Sequence, residues 1–300
     1  MTVHSELLII SIMTNPEKQV AIVTDSAAAL SIDQISDLGV FVSRMEITID
    51  EKTFVDGEDP ELDDFYPMLE RSESIPTTSA PIPGDYLKQY EKAGGEADDI
   101  LCVSLSARLS AAFDAATVAA EQYMKENPSK RVEVFDTETA ASSQALITTA
   151  AVRSATSGNS IDQVLTRVEE VANKVRLLAI LDTLKFIHRS GRVPKIAFWA
   201  TAALSIKPVM EYSTGNIGAI ARPRTTKRAM QKMLDEIGKS IGNGKAHINV
   251  MHASASDRAH EVHEWLTARF DCEELFTTSL HPFMGTHTGP GLVGASWWTE

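Results

Sequence analysis

The sequence predicts an α/β protein of two domains, the first on a mainly parallel sheet and the second on a mixed sheet with helices on one side. Three observations carry this. At 300 residues the chain reaches the length at which one hydrophobic core gives way to two. Apolar runs of strand length alternate with helical periodicity, the pattern of a sheet wound by crossover helices. The polar segment Thr156-Ser157-Gly158-Asn159-Ser160 then divides that regular first half from a second half carrying a hairpin signal.

Residues 1–18 are expected to form a flexible N-terminal extension. Its apolar run, Leu7 to Met13, is too short to span a bilayer and has no basic segment before it. The first domain is placed at 19–157. It opens with the strand Val20-Ala21-Ile22-Val23, which ends at Thr24-Asp25-Ser26, followed by a short run at Gly39 to Ser43. A hairpin is expected across Asp50-Glu51-Lys52, then an acidic helix from Glu61 to Arg71. Pro76 to Pro81 reads as a loop fixed by prolines, and Pro83 as the opening of a helix. The strand Ile100 to Ser104 leads to a helix over Ser110–Lys125, and the strand Val132 to Phe135 to a helix ending near Ala155.

The second domain is placed at 158–300, beginning with a helix capped by Ser160. Strands are expected at Leu177–Leu181, Ile206–Tyr212, Ile217–Ala221, His247–Met251 and Leu275–Thr278. Ser213-Thr214-Gly215-Asn216 is the hairpin signal. Helices are expected at Leu184–His188, Lys195–Ala203, Thr225–Ile241 and Asp257–Phe270. Gly285-Thr286-His287-Thr288-Gly289-Pro290-Gly291 reads as a loop whose glycines permit close backbone approach and which presents His287.

Composition narrows the function. A formal charge of -13 with pI near 5.1 repels phosphate surfaces at long range, so nucleic acid and anionic membrane are disfavoured partners. Cys102 and Cys272 lie far apart and form neither a disulfide framework nor a metal spacing. Cys102 sits in an apolar run and reads as a core residue. A reducing, cytoplasmic setting is expected.

No cofactor and no metal are expected. His247, His252, His260 and His263 lack the H-E-x-x-H spacing and read as solvated side chains. Ser110 opens a helix but lacks the flanking glycines of a nucleophile elbow, so it reads as a cap or a ligand contact. Neither standard phosphate loop is present. Three strands end in hydroxyl or acidic residues, at Thr24-Asp25-Ser26, Ser104-Leu105-Ser106 and Asp136-Thr137. Ligands bind at such carboxyl ends in open parallel sheets, and together the three suggest an anion site. The basic run Arg222 to Arg228 opposes the dipole of the helix it starts, which suggests an acidic partner there. Lys185, His188, Arg189, Arg192 and Lys195 cluster around the Ser190-Gly191-Arg192 turn and point to the same ligand.

Taken in order, several of these segments resemble the DegV family of bacterial fatty-acid-binding proteins. The matching pieces are Val23 to Ser26, Thr78-Ser79-Ala80-Pro81, Ser104 to Ser110, Asp136-Thr137, Leu181 to Leu184, Ser190-Gly191-Arg192, Lys207-Pro208 and Gly285 to Gly291. The resemblance implies an N-terminal α/β/α domain, a C-terminal α/β domain and a long-chain fatty acid buried between them. It also implies a carrier that is not itself an enzyme. By that match the ligand-binding residues are Thr78, Ser79, Ser110 and His287, joined by the strand-end residues Asp25 and Ser26. The implied partner is a fatty acid kinase, with Arg222 closest to the family's arginine for the kinase step. The chain departs from the family at Ala80, Ile82, Ala111 and Phe113, which bears on acyl preference more than on ligand class. Two other readings stay open: a serine hydrolase or acyltransferase using Ser110 and His287, and a phosphosugar- or polyol-binding kinase subunit. A monomer is expected.

Overall fold

The structure is a computed structural model that describes residues 18–58, 60–72, 74–193, 206–213 and 216–300. The expected extension (save Lys18), the expected helix over 195–203 and the hairpin residues 214–215 lie outside them. No described helix is long and apolar enough to cross a membrane.

The N-terminal sheet contains β1 (Lys18–Asp25), β2 (Phe41–Ser43), β6 (Ala97–Ser104) and β7 (Arg131–Asp136). Their order is β2-β1-β6-β7, every pair parallel. Side chains alternate across a strand, so β1 sends Ala21 and Val23 to one face and Val20 and Ile22 to the other. The first pair packs with Tyr86 and Tyr90 of α3 (Pro83–Gly94) and Ala116 and Ala119 of α4 (Ala112–Glu126). The second packs with α5 (Ala141–Thr156) and, at the edge, α1 (Ile32–Leu38). This is the expected α/β/α layering.

A second sheet, absent from the sequence reading as a unit, joins β3 (Glu46–Ile49), β4 (Lys52–Val55) and β5 (Thr77–Ser79) in the antiparallel order β4-β3-β5. The β3–β4 hairpin turns at Asp50 and Glu51, whose φ values of 48° and 67° suit the right-handed twist of the flanking strands. Strand β5 replaces the proline-bounded loop expected there. The helix α2 (Leu62–Arg71) follows β4.

The C-terminal sheet has the order β10-β9-β8-β13-β11-β12. Its strands are β8 (Arg176–Ile180), β9 (Val209–Ser213), β10 (Asn216–Ala221), β11 (Ala246–His252), β12 (Cys272–Ser279) and β13 (Val293–Thr299). Only β11 and β12 are parallel neighbours. Leu178, Ile180, Ile248 and Val250 pack under α8 (Thr226–Ile241) and α9 (Ser256–Thr267). The expectation of helices on one side is corrected here. The opposite face meets α5 and α6 (Ile161–Lys174), the latter opened by the expected cap Ser160, whose N–H donates to Gln163 at 2.9 Å.

Thirteen of the sixteen residues of α5 are buried, because sheets lie on both of its sides. Its many alanines and serines allow that close double approach. Ser142 and Ser143 bond to Ser296 of β13 at 2.6 and 2.8 Å, while Gln144 donates to Asp25 at 3.0 Å. One helix therefore belongs to both cores.

Candidate binding site

The remaining part of the C-terminal sheet face is covered by neither α5 nor α6, and a cavity lies there. Leu177 and Ala179 of β8, Met210 and Tyr212 of β9, Ile217 of β10 and Met251 of β11 form its floor. Leu105, Leu109, Ala140 and Ala141 close it from the N-terminal domain. The last side is made by α7 (Lys185–Ser190) and α10 (Pro282–Thr288), through Ile187, Phe283 and Met284. The gap between these walls encloses about 840 Å³ when its open mouth is counted, of which about 120 Å³ admits the centre of a water-sized sphere. From β10 to β11 it crosses four interstrand steps, roughly 19 Å at ~4.8 Å each.

The mouth is polar. Ser190, Arg192 and His287 line both the apolar cavity and an adjoining vestibule, which Thr77, Thr78, Arg189 and Thr286 complete. Thr78 Oγ1 and His287 Nε2 are 3.2 Å apart. Strand β5 supplies the threonine and the last turn of α10 the histidine, so the expected glycine loop is helical up to Thr288. Burial, with the Arg192 cation adding to it, lowers the His287 imidazole to about 4. The ring is therefore neutral at pH 7. Its Nδ1 is buried and has no hydrogen-bond partner, so no carboxylate fixes the tautomer.

Two glycines make this seat possible. A Cβ on Gly285 would come within 2.8 Å of both Phe65 Cε1 and Tyr66 Oη on α2, so the helix can lie on those rings only with glycine there. Gly289 ends α10 at φ +73°, with the Phe186 ring where a Cβ would stand. The cavity wall and the histidine are thus fixed by close contacts.

The other candidates fall elsewhere. Ser110 Oγ accepts the Ala112 N–H at 3.3 Å at the start of α4, and its neighbour Leu109 lines the cavity. Ser79 is exposed on β5. Asp25 is fully buried and accepts from Leu105 N–H (2.8 Å), Gln144 (3.0 Å) and Ala27 N–H (3.2 Å). Burial raises its pKa, against these hydrogen bonds. Ser26 accepts the Met45 N–H at 3.1 Å. Asp136 accepts from Ala107 and Glu138 N–H, and Thr137 donates to the Ser104 carbonyl at 2.9 Å. The three polar strand ends thus bond to protein backbone and hold the loop that carries Leu105 and Leu109. Arg222 is exposed between β10 and α8.

Among the described residues no histidine, cysteine and carboxylate cluster could hold a metal. The reading of all four histidines as solvated needs correction at His247, which is buried and stacked on Trp298 at 3.9 Å. Cys102 is buried, as expected of a core residue. The apolar lining was the part that sequence reading missed. Its signal was available in β8, where Leu177 and Ala179 alternate with the core-facing Leu178 and Ile180.

A family profile described as "Uncharacterised protein, DegV family" matches residues 19–300. A DegV domain-containing protein of Halalkalibacterium halodurans is 26% identical over 288 residues, covering 94% of this chain and 99% of that protein. One from Streptomyces coelicolor is 29% identical over 279 residues, covering 92% and 97%. Among solved structures, a fatty-acid-binding DegV family protein from Thermus thermophilus superposes with TM-score 0.86 at 26% identity, covering 94% of this chain and 100% of that one. A DegV family protein from Eubacterium eligens, loaded with heptadecanoic acid, has TM-score 0.82 at 19% identity, covers 94% and 100%, and bears on the fold alone.

Proposed function

The chain belongs to the DegV family, and from that premise we propose that it is a carrier of a long-chain fatty acid. The observation that carries this reading is a long apolar cavity opening at one end onto Thr78, His287, Ser190 and Arg192. Extended chains advance roughly 1.2 Å per bond, since a residue of three bonds spans at most ~3.6 Å. A path of roughly 19 Å across the sheet therefore suits an acyl chain of about sixteen carbons. Each buried methylene contributes about 0.8 kcal/mol, which gives ample affinity. A carboxylate drawn out of water needs hydrogen bonds. In this reading the Thr78 hydroxyl and the neutral His287 supply them, and Arg192 supplies charge at the mouth. Ser110 Oγ accepts the Ala112 N–H but keeps its own proton, which in this reading it donates to the head group. The fatty-acid binding of the Thermus thermophilus relative supports the same ligand class.

We further propose that the bound acid is presented to a fatty acid kinase through the basic segment at Arg222, and that the protein works in the cytoplasm without a cofactor. A hydrolase using Ser110 has less support: His287 Nε2 meets Thr78 and not Ser110. Mass spectrometry of freshly purified, denatured protein tests the carrier reading. One equivalent of a long-chain acid is expected, and its absence from lipid-fed cells would sink the idea.

A further inference from the structure

The helix α10 is held at both ends by one small sheet. At its far end Thr78 of β5 meets His287. At its near end Asp56, the residue after β4, accepts the Phe283 N–H at 2.8 Å through Oδ1. Phe283 and His287 stand about one turn apart, roughly 6 Å along the helix. Asp56 is 0% exposed, and its own N–H donates to Met45 at 2.9 Å. Its second oxygen, Oδ2, is buried without a hydrogen-bond partner, and so is His281 Nδ1 in the segment entering α10.

We propose that Asp56 is a positioning residue for the fatty-acid site: it seats the start of α10 and through that helix sets where His287 meets Thr78. This rests on the carrier reading only for its effect on ligand, not for its effect on His287.

The surroundings of Asp56 are unevenly charged. Arg44 donates to the Asp56 carbonyl at 2.9 Å and pairs with Glu58 at 3.0 Å. Asp25 and Ser26 face Asp56 from the end of β1 and Tyr66 from α2, while His281 lies beside Gly57 and the Arg44 charge. Burial raises the Asp56 carboxyl to about 7, against the nearby Ser26 hydroxyl, the Phe283 N–H and the Arg44 charge. With α10 seated, Asp56 keeps its proton up to about pH 7; with α10 lifted and the carboxyl hydrated, it loses the proton near 3.8. Lifting therefore becomes easier by up to about tenfold per pH unit as pH rises toward 7, and levels off above it.

The test follows the His287 imidazole by NMR in the whole protein from pH 5.5 to 8.5, beside release of a pyrene-labelled fatty acid. His287 itself titrates near 4, so a transition near 7 at its resonance reports a neighbour. The wild type should show that transition, with release speeding by up to about tenfold per unit until pH 7. The isosteric Asp56→Asn variant should show neither and should release slowly at every pH. A flat His287 profile in the wild type, or an unchanged transition in Asp56→Asn, overturns the proposal. A normal His287 transition in protein that takes up no fatty acid supports the seating role and sinks the carrier reading instead.

Discussion

Thr78 Oγ1 and His287 Nε2 meet at 3.2 Å across 209 residues of sequence, so the vestibule of the cavity is closed by a contact between the first domain and the last helix. Removing the hydroxyl while keeping the shape isolates its role. Thr78→Val should weaken fatty-acid binding by about 10- to 100-fold, the worth of one hydrogen bond to a charged group. The check is isothermal titration of delipidated protein with palmitate, beside a thermal midpoint that changes little.

Gly285 offers a steric test of the same wall. The methyl of Gly285→Ala would press on Phe65 and Tyr66, whose hydroxyl donates to the Leu280 carbonyl at 2.9 Å. Overpacking of this kind costs about 1–3 kcal/mol. The variant should lose both thermal stability and bound lipid, and a crystal structure should show α10 displaced from α2. A variant as stable and as lipid-loaded as the wild type would contradict the described seat.

Chain length should respond to the cavity floor. Ala179 lies in mid-cavity on β8, and Ala179→Leu adds three carbons to that space. The profile of co-purified acids should shift shorter by roughly as many methylenes, because the longest acids lose about 0.8 kcal/mol for each methylene left in water. An unchanged profile would mean that the chain does not cross β8.

Acid stability has opposing contributions. Burial first, then Arg44 and Arg192 respectively, lower His281 and His287 to about 4. The unfolded chain binds these protons near 6.5, so the stability of the neutral rings is present above 6.5 and lost as pH falls toward 4. Asp56 runs the other way: its contribution is present below 3.8 and lost as pH rises through about 7. Each group is worth up to about 1.4 kcal/mol per pH unit in its window. Asp56→Asn removes the offset, so its urea midpoint should fall more steeply than that of the wild type between pH 6.5 and 4.5. Parallel curves would show that Asp56 does not titrate there.

Arg222→Ala should leave lipid content intact and reduce acyl phosphate formation with a cognate kinase. Loss of bound lipid would instead assign Arg222 to the pocket.

The legible parts of the fold were those with strong local signals. The parallel strands β1, β6 and β7 announced themselves as apolar runs, the Asp50–Glu51 turn as a polar break, and α6 through its Ser160 cap. Three elements had weaker signals. Strand β5 is three residues long between prolines and exists because β3 pairs with it. The helix α10 contains Gly285 and spans only seven residues, so it draws its stability from α2 and Asp56. Strand β13 mixes glycine, alanine and serine with two tryptophans, because Gly294 and Ser296 must fit against β8 and α5. At the site, Thr78 and His287 could be named from their motifs, but the cavity floor could not. It takes one or two side chains from each of four strands, and their common face exists only after the sheet has formed.

The helix α5 has a mechanical consequence. A segment buried on both flanks cannot leave either sheet without baring the apolar surface of the other, and its Gln144 and Ser142 bonds would break with it. Parting the two halves would therefore expose both cores at once. On the proposed carrier reading, an acyl tail would enter past the rim formed by α7 and α10 rather than between parted halves. Cutting the gene at residues 157–158 should accordingly yield two insoluble fragments.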